Sequence, residues 1–116
     1  MAQELVKLNP GDYLLHEGAE SREMYYVQSG TLAVFKRKGD RESQIGTIIA
    51  GELVGEMSFL DKQPRSASVK AMTEAVVVVV PHEKLDKTLE GLPKWFSALQ
   101  YTLVERLRKA NSRVKI

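Results

Sequence analysis

The chain has 116 residues, the size of one ordinary domain, enough to bury a single core and too few for a second domain of ordinary size. Seventeen Lys and Arg against fifteen Asp and Glu leave a net charge of +2, too small an excess to argue for nucleic acid as a partner. The absence of cysteine excludes a disulfide frame and thiolate chemistry, and a reducing compartment, the cytoplasm, is the expected location.

The N-terminus, Met1-Ala2-Gln3-Glu4, lacks the basic region and apolar run of a signal peptide, and the longest strictly apolar run, residues 75–80, is far too short to span a bilayer. No membrane partner is expected. Residues 4–8 alternate polar and apolar and meet the turn signal Asn9-Pro10-Gly11-Asp12, which predicts a first strand. Residues 13–16 read as a short second strand closed by Glu17-Gly18. Residues 24–28 and 31–37 flank Ser29-Gly30 as a hairpin rich in β-branched and aromatic side chains. The charged stretch 36–44 around Gly39-Asp40 reads as an exposed hairpin end, residues 44–49 as a fifth strand, and Ala50-Gly51-Glu52 as a turn. Residues 66–73 and 75–81 complete the sheet, with five consecutive valines reading as a strand buried on both faces.

Many short strands separated by Gly-rich turns indicate an antiparallel sandwich or jelly roll over about residues 4–81. The period then changes. Residues 82–90 suit a short helix, Gly91-Leu92-Pro93 breaks it, and Pro93 sits at the first turn of a longer helix from Lys94 to about Ser112. On the longer helix Phe96, Leu99, Leu103, Leu107, Ala110 and Val114 recur at spacings of three and four, one apolar stripe. That stripe has two readings, packing on the sandwich or a seam between two parallel copies.

The stretch from Gly55 to Ala67 carries the chemistry. Gly55 permits φ > 0 or close backbone approach, and residues 56–61 have room for a short helix whose N-terminal N–H groups would face an anion. Pro64 ends that turn and sets the direction of Arg65, a planar fork of donors suited to phosphate, with the Ser66 hydroxyl beside it. Glu56 should repel a phosphate, which is explained if it accepts from a sugar hydroxyl of the same ligand. Arginine on phosphate and glutamate on ribose together describe a nucleotide.

Gly-Glu-Met-Ser-Phe-Leu, three residues, then Pro-Arg-Ser-Ala resembles the phosphate-binding cassette of the cyclic nucleotide-binding domains. That family includes the bacterial catabolite activators, protein kinase A regulatory subunits and cyclic nucleotide-gated channels. Residues 11–18 resemble its early strand and turn, and residues 24–34 its central hairpin, so the resemblance covers nearly the whole chain. It implies a mainly β fold with C-terminal helices: an antiparallel jelly roll (double-stranded β-helix), a short cassette helix and a long C-terminal helix that lids the nucleotide and, in bacterial activators, dimerises.

Carried over residue by residue, Glu56 matches the acceptor of the ribose 2′-hydroxyl, Arg65 the partner of the cyclic phosphate and Ser66 the hydroxyl beside it. Gly55, Met57 and Ser58 match backbone amides around ribose and phosphate, and Ala67 closes the cassette. Val34 and Ile45 match aliphatic positions near the base, although plain core is an equal reading. The sequence departs from the pattern at Val54, where many members have Phe, a change expected to alter packing without removing a ligand contact. It departs again at Ala110 and Asn111, which replace a Thr-Ser pair that reaches adenine. Asn111 retains hydrogen-bonding capacity, and Arg106 matches a position near the nucleotide but reads equally well as a solvent-facing charge. Trp95 or Tyr101 could cap the base, though Trp95 beside Phe96 also reads as core. Ser66, in place of a Thr often found in cGMP-selective members, favours cAMP over cGMP.

The resemblance implies a regulatory module that binds a cyclic nucleotide and signals through its last helix. The DNA-reading unit of the activators would begin after that helix, so no nucleic-acid contact is expected from this chain and any output domain would lie in a longer parent. A ligand-free interaction or dimerisation module of the same fold is the alternative. An enzyme is not expected: His16 and His82 are the only histidines, neither has a His neighbour at ligand spacing for a metal, and no nucleophile–base pair stands out.

Overall fold

The computed structural model describes residues 4–20, 22–56 and 63–113. Among the described residues, eight strands form two four-stranded antiparallel sheets, in the orders β1-β8-β3-β6 and β2-β7-β4-β5. The first sheet holds β1 (Leu5–Leu8), β3 (Glu23–Ser29), β6 (Leu53–Val54) and β8 (Ala75–Pro81). The second holds β2 (Tyr13–Leu15), β4 (Thr31–Lys38), β5 (Arg41–Ile49) and β7 (Ser68–Ala71). Two helices follow, α1 (His82–Glu90) and α2 (Lys94–Arg113). This is the jelly-roll architecture expected, mainly β with C-terminal helices.

Side-chain alternation builds the core. Along β3, Tyr25 and Val27 point inward and are buried while Tyr26 and Gln28 point out. Val27, Leu32, Val54 and Val77 are sealed from solvent and join Leu8, Leu15, Val69 and Val79 between the two sheets. The valine strand β8 is hydrogen-bonded on both edges, to β1 and to β3, and Val77, Val78 and Val79 are all buried, as its unbroken apolar run predicts. Gly30 turns the β3–β4 hairpin with φ 94°, and a Cβ there would collide with the backbone of Glu74 and Ala75, so glycine is required twice over.

Three features differ from the sequence expectation. The charged segment 36–44 is strand almost to its tip: β4 runs to Lys38, β5 starts at Arg41, and Lys38 pairs with Arg41 across Gly39-Asp40. Charge marked exposure there rather than loop, because an edge hairpin can solvate both faces. Leu53–Val54 forms a strand too short to show a period, paired with Tyr26 and Tyr25. The leucines of the apolar stripe of α2 are not buried on the sandwich: Leu99, Leu103 and Leu107 are each about half exposed, and among the described side chains of the helix Val104 is the buried one. Phe96, Gln100 and Val104, spaced by one helical turn, make the covered face.

Candidate functional site

The site is built where the end of β6 meets the approach to β7. Gly55 leaves β6 with φ 79°, a left-handed conformation that L-residues adopt at a cost of about 1–2 kcal/mol. Helical geometry begins at the next residue, Glu56. On the other side of the cassette, the Arg65 main chain is clamped to the β2–β3 connection, its N–H donating to Ala19 O at 2.9 Å and its carbonyl accepting from Gly18 N at 2.8 Å. This anchor forces the side chain inward.

Arg65 is 5% exposed, an ionisable group in the body of the fold. Its Nη1 donates to Gly55 O at 3.1 Å and its Nη2 donates to Glu23 O. Burial lowers the guanidinium's affinity for its proton, and the negative charge of Glu23 and of an ionised Tyr25 works in the opposite sense. The guanidinium has more N–H donors than these two carbonyls occupy, so it can hold an anion without leaving its seat. Gly55 is needed for this seat as well as for its φ, because a Cβ would run into Arg65 Nη1 and approach Leu15 Cδ1 to 3.5 Å.

In front of Arg65 lies a cavity of about 260 Å³. Gly55, Glu56, Arg65, Ser66 and Ala67 line its polar end, and Leu15, Val34, Ile48, Leu53, Val54 and Val69 its apolar end, with Glu52 at the wall. Lys36 Nζ donates to Ser66 O at 2.8 Å, tying the cassette to β4. A cation among carbonyls at one end, a carboxylate beside it and an aliphatic wall beyond suit an anionic ligand that carries a hydroxyl and a flat apolar part.

Five of the cassette positions named from sequence, Gly55, Glu56, Arg65, Ser66 and Ala67, therefore share one cavity with Val34. Met57 and Ser58 lie outside the described residues, as does the side chain of Asn111. Ile45 is not on the cavity wall: it is 41% exposed. The reason is a β-bulge. Val34 pairs with Gly46 and Phe35 with Gln44, so Ile45 is the extra residue that the bulge leaves unpaired, and the inward phase of β5 falls on Gly46 and Ile48. Val54, expected to matter for packing alone, is a wall residue. Arg106 and Ala110 are exposed on α2 and are not among the residues lining the cavity. Trp95 and Tyr101 are exposed too, Trp95 with its ring edge-on to Phe96 at 5.9 Å, so Trp95 is not a core residue. Leu15, Ile48, Glu52, Leu53 and Val69 were not singled out from sequence, since each reads as ordinary strand or turn until the sheets are folded onto one another.

A jelly roll with a buried arginine opening on a cavity between its sheets defines a class of small-ligand-binding β-rolls. Within that class the chain belongs to the cyclic nucleotide-binding domain family, whose model matches residues 5–91. It is 31% identical over 107 residues to the potassium/sodium hyperpolarization-activated cyclic nucleotide-gated channel 3 of Mus musculus, a match covering 92% of this chain and 13% of the channel. Channel 2 of Homo sapiens is 29% identical over 107 residues, covering 92% of this chain and 12% of the channel. The chain thus spans about an eighth of the length of these relatives. Among solved structures, the cAMP-bound form of the EAL enzyme Bd1971 superposes with a TM-score of 0.84 at 25% identity, over 97% of this chain and 30% of that one. The Thermus thermophilus catabolite activator protein superposes with a TM-score of 0.78 at 28% identity, over 97% of this chain and 54% of that one.

Proposed function

We propose that this cyclic nucleotide-binding domain is a regulatory module that prefers cAMP and passes ligand binding to a partner or a fused output domain through α2. The observation that carries the reading is Arg65, seated by two backbone carbonyls at the polar end of a cavity that also holds Glu56. The cyclic phosphate meets the Arg65 guanidinium and the cassette amides, Glu56 accepts from the ribose 2′-hydroxyl, and the base lies toward Val34, Ile48 and Leu53. The preference for cAMP is supported by Ser66, in place of a Thr often found in cGMP-selective members. The module acts by binding, without catalysis, in the cytoplasm.

A ligand shifts an equilibrium only by its differential affinity for two states, and couplings of about 1–3 kcal/mol are usual. The half-exposed stripe Leu99, Leu103 and Leu107 suits such a role, since a helix with an open apolar face has a second position available to it. The same stripe is the observation that favours the second reading, an interaction module in which α2 pairs two copies or a partner regardless of ligand.

Calorimetric titration of cAMP into wild type and Arg65→Ala tests the proposal. Removing one partner of a buried charge-assisted pair costs about 2–5 kcal/mol, so the variant should bind at least about 30-fold more weakly. Equal affinity in the two proteins would place the phosphate elsewhere.

A further inference from the structure

Strand β4 carries a cation on the face that meets the Arg65 cavity. Leu32, Val34 and Lys36 alternate onto that face: Leu32 is sealed in the core, Val34 lines the cavity, and Lys36 comes next. The pairing of β4 with β7 ends at Phe35 on Ser68, one residue short of Lys36, and there Lys36 Nζ donates to Ser66 O at 2.8 Å. The other cations of this sheet face elsewhere. Arg37 lines a separate cavity with Tyr13, His16 and Glu42, and Lys70 Nζ lies 5.0 Å from the centre of the Phe35 ring and 5.4 Å from that of Tyr13. Opposite Lys36 on β5 is Ser43, which brings no carboxylate to neutralise it.

The Arg65 cavity needs such a charge. Among the described residues that line it, one cation, Arg65, stands against two carboxylates, Glu52 and Glu56. That lining alone gives an approaching anion no net attraction. The fold, by contrast, does not depend on the lysine. The Arg65 main chain is clamped to Gly18 and Ala19, and the Ser68 hydroxyl accepts from Glu17 N at 2.9 Å, so the segment is anchored on both sides of Ser66 without Lys36.

We propose that Lys36 is the second positive pole of this site: from β4 it holds Ser66 by the carbonyl and raises the potential at the polar end of the cavity, so that its charge sets the affinity for an anion there. The proposal rests on the cyclic nucleotide reading of the cavity and adds to it a positioning residue outside the cassette. Arg65 supplies the directed hydrogen bonds, and Lys36 offsets the carboxylates that the ribose end requires. Because Lys36 is only partly buried, its contribution is open to screening by salt.

The test is calorimetric titration of cAMP into wild type, Lys36→Met and Lys36→Arg, at about 0.1 M and about 1 M salt, between which the Debye length falls from about 10 Å to about 3 Å. Lys36→Met should melt within about 4 °C of wild type, as a substitution away from the core does. At the lower salt it should bind cAMP about twofold to fivefold more weakly, the range for charge pairs open to solvent, and the deficit should shrink at the higher salt. Lys36→Arg, which keeps the charge and a donor for Ser66 O, should restore the wild-type Kd. A merely structural tether gives a deficit that salt does not change. An unchanged Kd in Lys36→Met, a deficit equal at both salt concentrations, or no recovery in Lys36→Arg overturns the proposal. Should wild type bind neither cAMP nor cGMP, the proposed function fails, and the role of Lys36 is decided with inorganic phosphate. Phosphate should then raise the melting temperature of wild type more than that of Lys36→Met, and equal shifts overturn it.

Discussion

Replacing Gly55 with alanine separates two physical roles of one residue. The first is conformational: with φ at 79°, an L-residue pays about 1–2 kcal/mol for the left-handed backbone. The second is steric, because the new methyl would occupy space held by Arg65 Nη1. The guanidinium must withdraw and its 3.1 Å bond to Gly55 O is lost, where hydrogen bonds to charged groups contribute about 1.5–3 kcal/mol. Together these destabilise the domain by about 2.5–5 kcal/mol, which for a chain of this size lowers the melting temperature by about 10–20 °C.

Gly51→Ala is the matched control. Its φ is 95° and no atom lies within 4 Å of the added methyl, so it carries the conformational cost alone. Thermal denaturation of both variants, with cAMP titration of each at a temperature where it is folded, gives the contrast. Gly55→Ala should lose both stability and binding, and Gly51→Ala about 1–2 kcal/mol of stability with binding intact. Equal stability losses and equal affinities in the two variants would refute the idea that Gly55 makes room for Arg65.

Other expectations can be checked directly. Glu56→Ala should weaken cAMP binding and be nearly silent against the 2′-deoxy nucleotide, since the hydrogen bond to ribose is then already absent; a full additive loss in a titration of both ligands would refute the ribose assignment. On α2, Val104→Ala should cost about 1–3 kcal/mol in urea denaturation, as for other buried aliphatic truncations, whereas Leu103→Glu should stay within about 0.5 kcal/mol. The reverse order would mean that the leucine stripe, and not the Val104 face, is the packed face of the helix.

Much of the fold was legible because its signals are local. The glycines punctuate turns, the valine run announces a buried strand, and Pro93 marks the start of α2. What escaped depends on pairing at a distance. A bulge between β4 and β5 cannot be read from β5 alone, and it decides that Ile48, not Ile45, faces the cavity. Leu53–Val54 is too short for periodicity and becomes a strand only through Tyr25 and Tyr26. The polar grip from Gly55 to Ala67 was visible as a motif with chemistry in it. Glu23 was invisible as a partner of Arg65, because 42 residues of chain separate its carbonyl from that guanidinium and only the fold closes the gap. The leucine stripe shows the opposite limit. Its spacing correctly marked an apolar helix face, but periodicity does not say what covers that face, and the structure leaves it about half open.

Whether the Arg65 cavity holds a cyclic nucleotide is tested most directly by calorimetric titration of the wild-type protein with cAMP, cGMP and 5′-AMP. One site per chain that binds cAMP more tightly than cGMP, and either more tightly than the linear monophosphate, is the expected result. No heat from either cyclic nucleotide at millimolar concentration would contradict it.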